Sequence, residues 1–212
     1  MDEEESKKRI EAVAAVFDRV ARTYDSVGVP WFTPIAERLV RELAPAPGEK
    51  AVDLGCGRGA ALFALAAAIG STGEVVGIDV SAEMIEATRE DAARRRLDWI
   101  EFKVDDASAP DLSGGHFDIV SASLVAFFLP DPLAAVRAWS GLLASGGRLG
   151  ISTFGDQTTG GSRSRRSSAR TFRPECSTHG RAARLVTSPT PKPSPGSSPR
   201  PGSRMSVPSS RI

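Results

Sequence analysis

The chain has 212 residues, of which 41% are hydrophobic and 25% are charged, and its formal net charge at pH 7 is +1. These values are typical of a globular protein with one main core. No apolar run approaches the roughly 20 residues that span a bilayer, and the charged start lacks the apolar segment of a secretory signal, so we expect a cytoplasmic protein without a membrane span.

Charge is unevenly distributed along the chain. Residues 1–156 contain 25 acidic and 16 basic residues, a net charge of −9, whereas residues 157–212 contain one acidic and 11 basic residues, a net charge of +10. An acidic body is a poor nucleic-acid surface and the basic end has no pattern that would build one, so we expect no nucleic-acid partner. Cys56 and Cys176 form neither a disulfide framework nor a paired metal spacing, so we expect no metal site.

Two amphipathic helices are predicted before the first strand. Residues 6–22 carry apolar side chains at helical spacing, and residues 31–43 form a second such segment that ends at the APAPG of 44–48. We interpret residues 1–48 as N-terminal helices that form a lid on the substrate side of the domain.

Strands and helices alternate over the next hundred residues, which we take as one core, residues 49–156. The alternation predicts an α/β fold with a parallel sheet and helices on both faces. From Gln157 onward the periodicity ends and Ser, Arg and Pro dominate, which predicts a disordered tail over residues 157–212. Strands are expected near residues 50–54, 74–80, 99–104, 117–122 and 148–153, and helices over 60–69, 82–96 and 132–143.

The stretch KAVDLGCGRG, residues 50–59, joins a buried strand to a glycine-dense turn. Gly55, Gly57 and Gly59 tolerate positive φ and let a ligand reach backbone N–H groups, and the following helix directs its positive dipole end to the same place. A glycine cluster alone would also suit any tight turn from strand to helix.

Carboxylates lie at or near the ends of three successive strands. Asp79 lies 24 positions after Gly55, close to the spacing of an acid that holds a ribose diol. Asp106 ends the third strand, where it could accept from an adenine amino group, and Asp53 projects from one sheet face beside the turn. Each acid alone could be solvated or make a structural bond, but three beside one glycine turn favour an adenosine-bearing ligand.

The glycine turn by itself leaves two ligand classes open. Residues 55–60 also fit the G-x-G-x-x-A pattern of NAD-binding turns. A pyrophosphate beside the turn would be repelled by a carboxylate at Asp53, whereas a ligand with an ammonium group and a sulfonium would be attracted. This difference points away from dinucleotides, and an NAD(P)-dependent oxidoreductase is the weaker alternative.

Five motifs in order resemble those of the class I S-adenosylmethionine-dependent methyltransferases. The leader VFDRVARTYDSV (16–27) is similar to that of the branch containing ubiquinone and menaquinone biosynthesis methyltransferases. The resemblance implies a Rossmann-like, doubly wound sheet with strand order 3-2-1-4-5. The motifs are VDLGCGRGA (52–60), VVGIDVSAEMIEAT (75–88), VDDASAPDL (104–112), FDIVSASLVAFFLPDPLAAVRAW (117–139) and LLASGGRLGIST (142–153).

The resemblance implies a role for nine residues around an S-adenosylmethionine cofactor. Gly55 and Gly57 would let the methionine portion lie along the backbone, Asp53 would hold its amino group, and Asp79 would hold the two ribose hydroxyls. Met84 would pack on the adenine, and Asp106 and Ala107 would face its amino edge. Ser123 would border the sulfonium, and Tyr24 would close over the cofactor.

The implied reaction is methyl transfer to a small-molecule acceptor, a quinol, phenol or natural product, by in-line displacement. Because a sulfonium methyl is already activated, the protein mainly has to align the reactants and exclude water. No catalytic residue is assigned, and we expect neither His116 nor His179 to be catalytic. Oxygen, nitrogen and carbon acceptors and the oligomeric state stay open.

The chain departs from the family pattern after its fifth strand. The family sheet continues with a helix and two more strands, the last antiparallel beside strand five, which the residues after Gln157 are not expected to supply. We therefore expect a sheet truncated after strand five with a bare apolar edge. A change of reading frame near Gln157 would explain the altered composition, and a genuine disordered extension is the alternative. A non-catalytic cofactor-binding module is the second functional interpretation.

Overall fold

The structure is a computed structural model that describes residues 3–24, 32–154, 171–172 and 182–188. Among these residues, no helix combines the length and the apolar character that crossing a membrane requires. The helices are α1 Glu3–Val20, α2 Phe32–Leu43, α3 Ala60–Ile69, α4 Ala82–Arg94 and α5 Pro132–Leu142, with a short 3-10 helix at Ala126–Phe128. The strands are β1 Lys50–Leu54, β2 Glu74–Asp79, β3 Glu101–Val104, β4 Phe117–Ser123, β5 Leu143–Phe154, β6 Thr171–Phe172 and β7 Ala182–Ser188.

Strand β1 lies at the centre of the sheet and pairs in parallel with β2 on one side and β4 on the other. Strand β3 continues the sheet beyond β2, and β5 continues it beyond β4, again in parallel. The order β3-β2-β1-β4-β5 and the α/β fold are those predicted from the sequence and its resemblance, and both are confirmed. Strand order reverses between β1 and β4, which is where such sheets bind ligands.

Each face of the sheet carries its own hydrophobic core, because neighbouring residues of a strand point to opposite faces. Ala51 of β1 packs with residues of α2, α3 and α4 on one face. Val52 and Leu54 of the same strand pack on the other face with the fully buried Trp139 of α5. A sheet covered on both faces explains why its strands are almost continuously apolar.

Several predicted boundaries are shifted by one to five residues, and two of these shifts have a visible structural cause. Helix α4 ends at Arg94 rather than at residue 96, where the backbone turns to a positive φ of 58°. Strand β5 begins at Leu143, five residues before the predicted start, because Leu143 pairs with Phe117 ahead of a shift in register.

The sheet does not end at β5. Residues Arg148–Phe154 of β5 pair in parallel with Ala182–Ser188 of β7, and β6 pairs antiparallel with β7. The parallel core is thus the predicted five-stranded sheet, which lacks the last strands of the family pattern. Its β5 edge, expected to be bare, is paired here with the tail segment that holds Leu185 and Val186.

Strands β6 and β7 lie within residues 157–212, and the predicted disorder of that segment stays a prediction. The rest of that prediction lies outside the described residues, as does the predicted frame change at Gln157. The family pattern implies an antiparallel neighbour for β5, whereas β7 runs parallel, so the sheet departs from that pattern here.

Arg148 of β5 fastens the end of α2 to the sheet. Its guanidinium donates two hydrogen bonds to the Glu49 carboxylate, at 2.9 and 2.7 Å, and a third to the carbonyl of Leu43 at 2.7 Å. The hydrogen bond from Arg148 lowers the pKa of Glu49. The bidentate pair with Glu49 holds the guanidinium in place, and the hydrogen bond to the Leu43 carbonyl joins it to the last residue of α2.

Replacing Arg148 tests this link. Arg148→Met keeps the aliphatic stem, and we expect it to lower the free energy of unfolding by about 1–2 kcal/mol, a modest value because the pair is partly exposed. The lowered pKa of Glu49 means that the pair stabilises the fold above the unfolded-state pKa and that this contribution is lost as pH falls through the folded-state pKa.

Urea unfolding at neutral pH and at about pH 4 measures both effects. The difference between wild type and variant should shrink in acid. Arg89→Met, which removes an exposed pair with Glu86, is the control and should change stability by less than about 0.5 kcal/mol. A difference that does not vary with pH would attribute the effect to the hydrogen bonds from Arg148 to the carbonyls of Leu43 and Ala44 rather than to the ion pair.

Candidate functional site

A cavity of about 740 Å³ opens at the carboxyl edge of the sheet, where β1, β2 and β4 end. The glycine turn and the acids predicted from the strand ends lie together here, at the point where strand order reverses. All nine residues predicted for the site line this cavity: Tyr24, Asp53, Gly55, Gly57, Asp79, Met84, Asp106, Ala107 and Ser123.

The glycine turn between β1 and α3 needs glycine for two different reasons. Gly55 has a φ of 67°, and a Cβ atom there would lie 2.4 Å from Cγ2 of Val125. Gly57 also has a positive φ, 48°, but a Cβ atom there would meet no atom within 4 Å. The backbone at Gly57 is therefore bare toward open space, while Gly55 is required by packing of the protein itself.

The Asp79 carboxylate holds the glycine turn against the end of β2. Its Oδ2 accepts from the backbone N–H of Gly57 at 2.8 Å, and its Oδ1 accepts from the N–H of Ser81 at 3.0 Å. Thr88 of α4 donates to the Gly57 carbonyl at 2.7 Å from the other side. Burial raises the pKa of Asp79, and backbone hydrogen bonds from Ser81, Gly57 and Val80 oppose this shift. The residue is 8% exposed, so its open side faces the cavity.

Helix α1 is tied to the same corner by Asp18. Its Oδ1 accepts from the Ser81 hydroxyl at 2.6 Å, and Ser81 Oγ in turn accepts from the N–H of Met84, which caps α4. Met84 is 1% exposed and lines the cavity. The charge of Asp18 also contributes to the raised pKa of Asp79. Ser81 therefore connects α1 to Asp79 at the end of β2 through hydrogen bonds to both.

Asp53 is buried inside the sheet edge with a partner on β4. The Ser121 hydroxyl donates to its Oδ1 at 2.6 Å, and a backbone hydrogen bond links it to Leu62 in the first turn of α3. Burial raises the pKa of Asp53 to about 7, and the nearby charge of Asp79 adds to the shift. The structural bond foreseen as an alternative for Asp53 is thus present, and the residue still lines the cavity.

Asp106 and Ala107 form the third corner of the cavity, after β3. The Asp106 carboxylate accepts from both the N–H and the hydroxyl of Ser108, at 2.7 and 2.6 Å. The Ala107 carbonyl accepts from the indole N–H of Trp139 at 2.6 Å. Contacts within the protein therefore fix the turn that follows β3, and the cavity side of both residues is held in place.

The other end of the cavity is lined by aromatic rings. Tyr24 is stacked on Phe32, with ring centroids 5.4 Å apart and planes at 11°. The rings continue through Phe17 and Phe128 to Phe127 and Phe154, with successive centroid separations of 6.2, 5.3, 4.5 and 5.4 Å. We call these six side chains the aromatic wall. Ser123, whose hydroxyl lies 3.0 Å from that of Ser152, stands at the end of β4 between this wall and the glycine turn.

Sequence reasoning found Tyr24 but missed the other five members of the aromatic wall. Phe127 and Phe128 lie within a motif that carried the family resemblance, and the adjacent pair just after a strand end was the available signal. Phe154 gave no such signal, because its place depends on the tertiary structure. Asp18 was missed for the same reason, since its partner is 63 residues away.

Two further residues considered from the sequence differ in their place relative to the cavity. Cys56 lines it, but burial raises the pKa of its thiol well above the usual value, which disfavours the reactive thiolate. His116 lies at the opposite edge of the sheet, where its ring Nε2 is 2.8 Å from the Glu74 carboxylate. His179 lies outside the described residues.

The family of methyltransferase domains matches residues 45–182, which is more than half of the chain. This chain belongs to that family, as the resemblance predicted. It is 43% identical over 136 residues to nocamycin O-methyltransferase of Saccharothrix syringae, an overlap of 64% of this chain and 49% of that one.

Two other relatives are similar over comparable lengths. Aklanonic acid methyltransferase of Streptomyces sp. (strain C5) is 42% identical over 141 residues, 66% of this chain and 64% of that one. Demethylmenaquinone methyltransferase of Staphylococcus aureus (strain MRSA252) is 30% identical over 149 residues, 68% and 61% respectively, which confirms the predicted similarity to the menaquinone branch. The chain spans less than two thirds of the length of each of these relatives.

The buried Asp53 generates a prediction about stability. In the folded protein the pKa of Asp53 is raised from 3.8 to about 7, so the unfolded chain releases the Asp53 proton at a lower pH than the folded protein does. Between these two pKa values the folded state therefore loses stability as pH rises. Asp53→Asn keeps an acceptor for Ser121 and removes the charge. Its stability relative to wild type should therefore increase by a few kcal/mol at most between about pH 5 and about pH 8.

Urea unfolding of both proteins at the two pH values checks this. Glu11→Gln, an acid-to-amide change at an exposed site on α1, is the control and should show no such trend. A constant difference between Asp53→Asn and wild type would mean that Asp53 is ionised, or protonated, throughout the range.

Proposed function

We propose that this domain binds S-adenosylmethionine at the carboxyl edge of the sheet and transfers its methyl group to a small-molecule acceptor. One observation carries the proposal: the bare backbone of Gly57 and the Asp79 carboxylate stand beside each other at the edge of one cavity. Membership of the methyltransferase domain family and the methyltransferase names of the relatives support it.

The residues around the cavity fit such a cofactor. The space left where a Cβ of Gly57 would stand lets an elongated methionine portion approach the backbone. Each oxygen of Asp79 already accepts one backbone hydrogen bond and has capacity for another, so the carboxylate can accept from two ribose hydroxyls. The buried carboxylates of Asp53 and Asp79 favour a ligand that carries positive charge.

The remaining predicted residues would hold the adenine and border the reacting group. Met84 offers a buried thioether surface to the ring, and Asp106 and Ala107 stand on a turn that is fixed from behind by Ser108 and Trp139. Ser123 lies between the glycine turn and the aromatic wall, which is where we place the sulfonium.

The arrangement disfavours the dinucleotide alternative. A pyrophosphate at a turn of this kind needs the N–H groups at the start of the following helix. Here the carboxyl of Asp53 takes a backbone hydrogen bond in the first turn of α3, and its charge would repel a phosphate. The described residues give no support to a non-catalytic module over a methyltransferase.

The aromatic wall supports an apolar ring compound as the acceptor. Its six rings form an unbroken series along one end of the cavity, and a flat ring system could stack on them. Phe127 and Phe154 are each 41% exposed, so the wall also reaches the cavity mouth. The O-methyltransferase name of one relative supports oxygen as the atom that receives the methyl group.

The protein contributes alignment rather than a new intermediate. When bound, the cofactor supplies an activated methyl group on a positively charged sulfur. Asp79, Gly57 and the turn at Asp106 hold the cofactor side, and the aromatic wall orients the acceptor and excludes water. The fixed distance between these two ends of the cavity brings acceptor and methyl group into line.

Loss of Asp79 should weaken cofactor binding strongly. Two charge-assisted hydrogen bonds to a ribose make Asp79→Ala cost about 2–4 kcal/mol, or roughly 30- to 1,000-fold in affinity. Calorimetric titration with S-adenosylhomocysteine measures the change. Because Asp79 also holds the glycine turn, the unfolding curve of the variant must first show that it is folded; Glu101→Ala, at the other edge of the sheet, is the matched control. A folded variant that loses less than about threefold would remove Asp79 from the site.

Truncating a side chain of the aromatic wall should weaken binding of the acceptor and leave binding of the cofactor unchanged. We expect Phe127→Ala to weaken binding of 1-naphthol, a flat apolar phenol, by about threefold to tenfold because a ring contact is lost. Affinity for S-adenosylhomocysteine should be unchanged. Leu133→Ala removes an apolar side chain that is 72% exposed and does not line the cavity, and it serves as control. Equal losses for both ligands would indicate a general structural effect instead of an acceptor subsite.

A further inference from the structure

We infer that Glu37 of α2 accepts the proton of a hydroxyl-bearing acceptor during methyl transfer. This inference rests on the proposed function and adds the residue that would receive the proton. Glu37 lines the cavity together with Thr33, one helical turn earlier, and with Phe32 of the aromatic wall. It therefore lies on the acceptor side, away from the strand ends.

The other acids that line the cavity are already engaged by donors of the protein. Asp53 accepts from the Ser121 hydroxyl, Asp79 from two backbone N–H groups, and Asp106 from both donors of Ser108. All three stand at the carboxyl ends of strands, where the proposed cofactor is held. A proton taken up by any of them would weaken contacts on which the site itself depends.

The remaining titratable residues of the cavity lining cannot easily accept a proton. Arg58, paired with Asp91 at 2.5 Å, and Arg95, placed 4.1 Å from the centre of the Phe63 ring, are cations. The Cys56 thiol is kept protonated by burial.

Glu37 differs from all of these residues. It is exposed to the cavity side, and within the part of the chain that the structure describes it has no hydrogen bond or ion pair. Its position on a helix whose other face packs into the core through Ala36 and Leu39 fixes the backbone while the carboxylate can move toward a bound ligand. A partnerless carboxylate beside an aromatic surface suits a substrate that combines a flat ring with a hydroxyl group.

The proposed step forms one bond to carbon and breaks another. The hydroxyl oxygen forms a bond to the methyl carbon, the bond from that carbon to sulfur breaks, and its electron pair stays on sulfur. As the new C–O bond forms, the hydroxyl proton becomes strongly acidic and passes to the Glu37 carboxylate, which later releases it to water. No oxidant or further reactant is needed.

Glu37→Gln tests the inference through turnover. With 1-naphthol as acceptor, we expect kcat to fall by roughly 100-fold or more, the usual contribution of a general base. The acid limb of the wild-type profile of kcat against pH should disappear, and Glu37→Asp should recover part of the activity. Glu101→Gln, at the far edge of the sheet, is the matched control and should leave both rate and profile as in wild type. An unchanged rate or an unchanged acid limb in Glu37→Gln would overturn the assignment.

A binding experiment gives a second readout that does not need turnover. Wild type should bind 1-naphthol, which can donate to Glu37, more tightly than its methyl ether, which cannot, and Glu37→Gln should reduce this ratio at least about threefold by lowering affinity for 1-naphthol alone. Equal ratios in the two proteins, or no binding of 1-naphthol to wild type, would count against the inference.

Binding of S-adenosylhomocysteine distinguishes failure of the role of Glu37 from failure of the proposed function. If wild type and Glu37→Gln bind it equally while the naphthol ratio stays the same, only the role of Glu37 fails. If wild type does not bind S-adenosylhomocysteine, the proposed function itself fails.

Discussion

The hydrogen bond from the Gly57 N–H to Asp79 is the contact on which the site depends. It joins the turn after β1 to the end of β2 at 2.8 Å, and so fixes the bare backbone and the carboxylate relative to each other. The desolvation of Asp79 opposes its ionisation, and the backbone donors at Gly57 and Ser81 offset part of that cost. A buried acid held in this way is prepared to accept further hydrogen bonds without rearranging.

The core of the fold could be predicted from the sequence because its signals are local. Alternating short apolar runs and helical patterns separated by glycine turns specify β1 to β5 and the helices between them. The pairing of β7 with β5 could not be predicted, because residues 182–188 lie in a segment of Arg, Ser and Pro and their place is decided by an unpaired strand edge far away in sequence. The early start of β5 was hidden in the same way, since it depends on the partner Phe117.

The candidate site divides into a predictable and an unpredictable half for a physical reason. The glycine turn and the acids at Asp53, Asp79 and Asp106 all follow strand ends, and parallel strands bring those ends to one edge. The aromatic wall is assembled from α1, the segment just after it, α2, the 3-10 helix and β5, so no spacing in the sequence marks it. Glu37 belongs to this second half, because what distinguishes it is that, among the described residues, it has no partner of the kind that the other acids of the cavity have.

The bond between Asp18 and Ser81 links α1 to the end of β2, beside a weaker contact of Asp18 with the N–H of Glu83. Asp18 lies on α1 next to Phe17, and it accepts from the Ser81 hydroxyl. Ser81 also donates its N–H to Asp79 and caps α4 through its hydroxyl. Binding of a ligand at Asp79 and attachment of α1 to the domain are therefore thermodynamically linked. Such coupling is reciprocal: the factor by which a ligand at the end of β2 would strengthen the attachment of α1 equals the factor by which attachment of α1 would strengthen binding of that ligand.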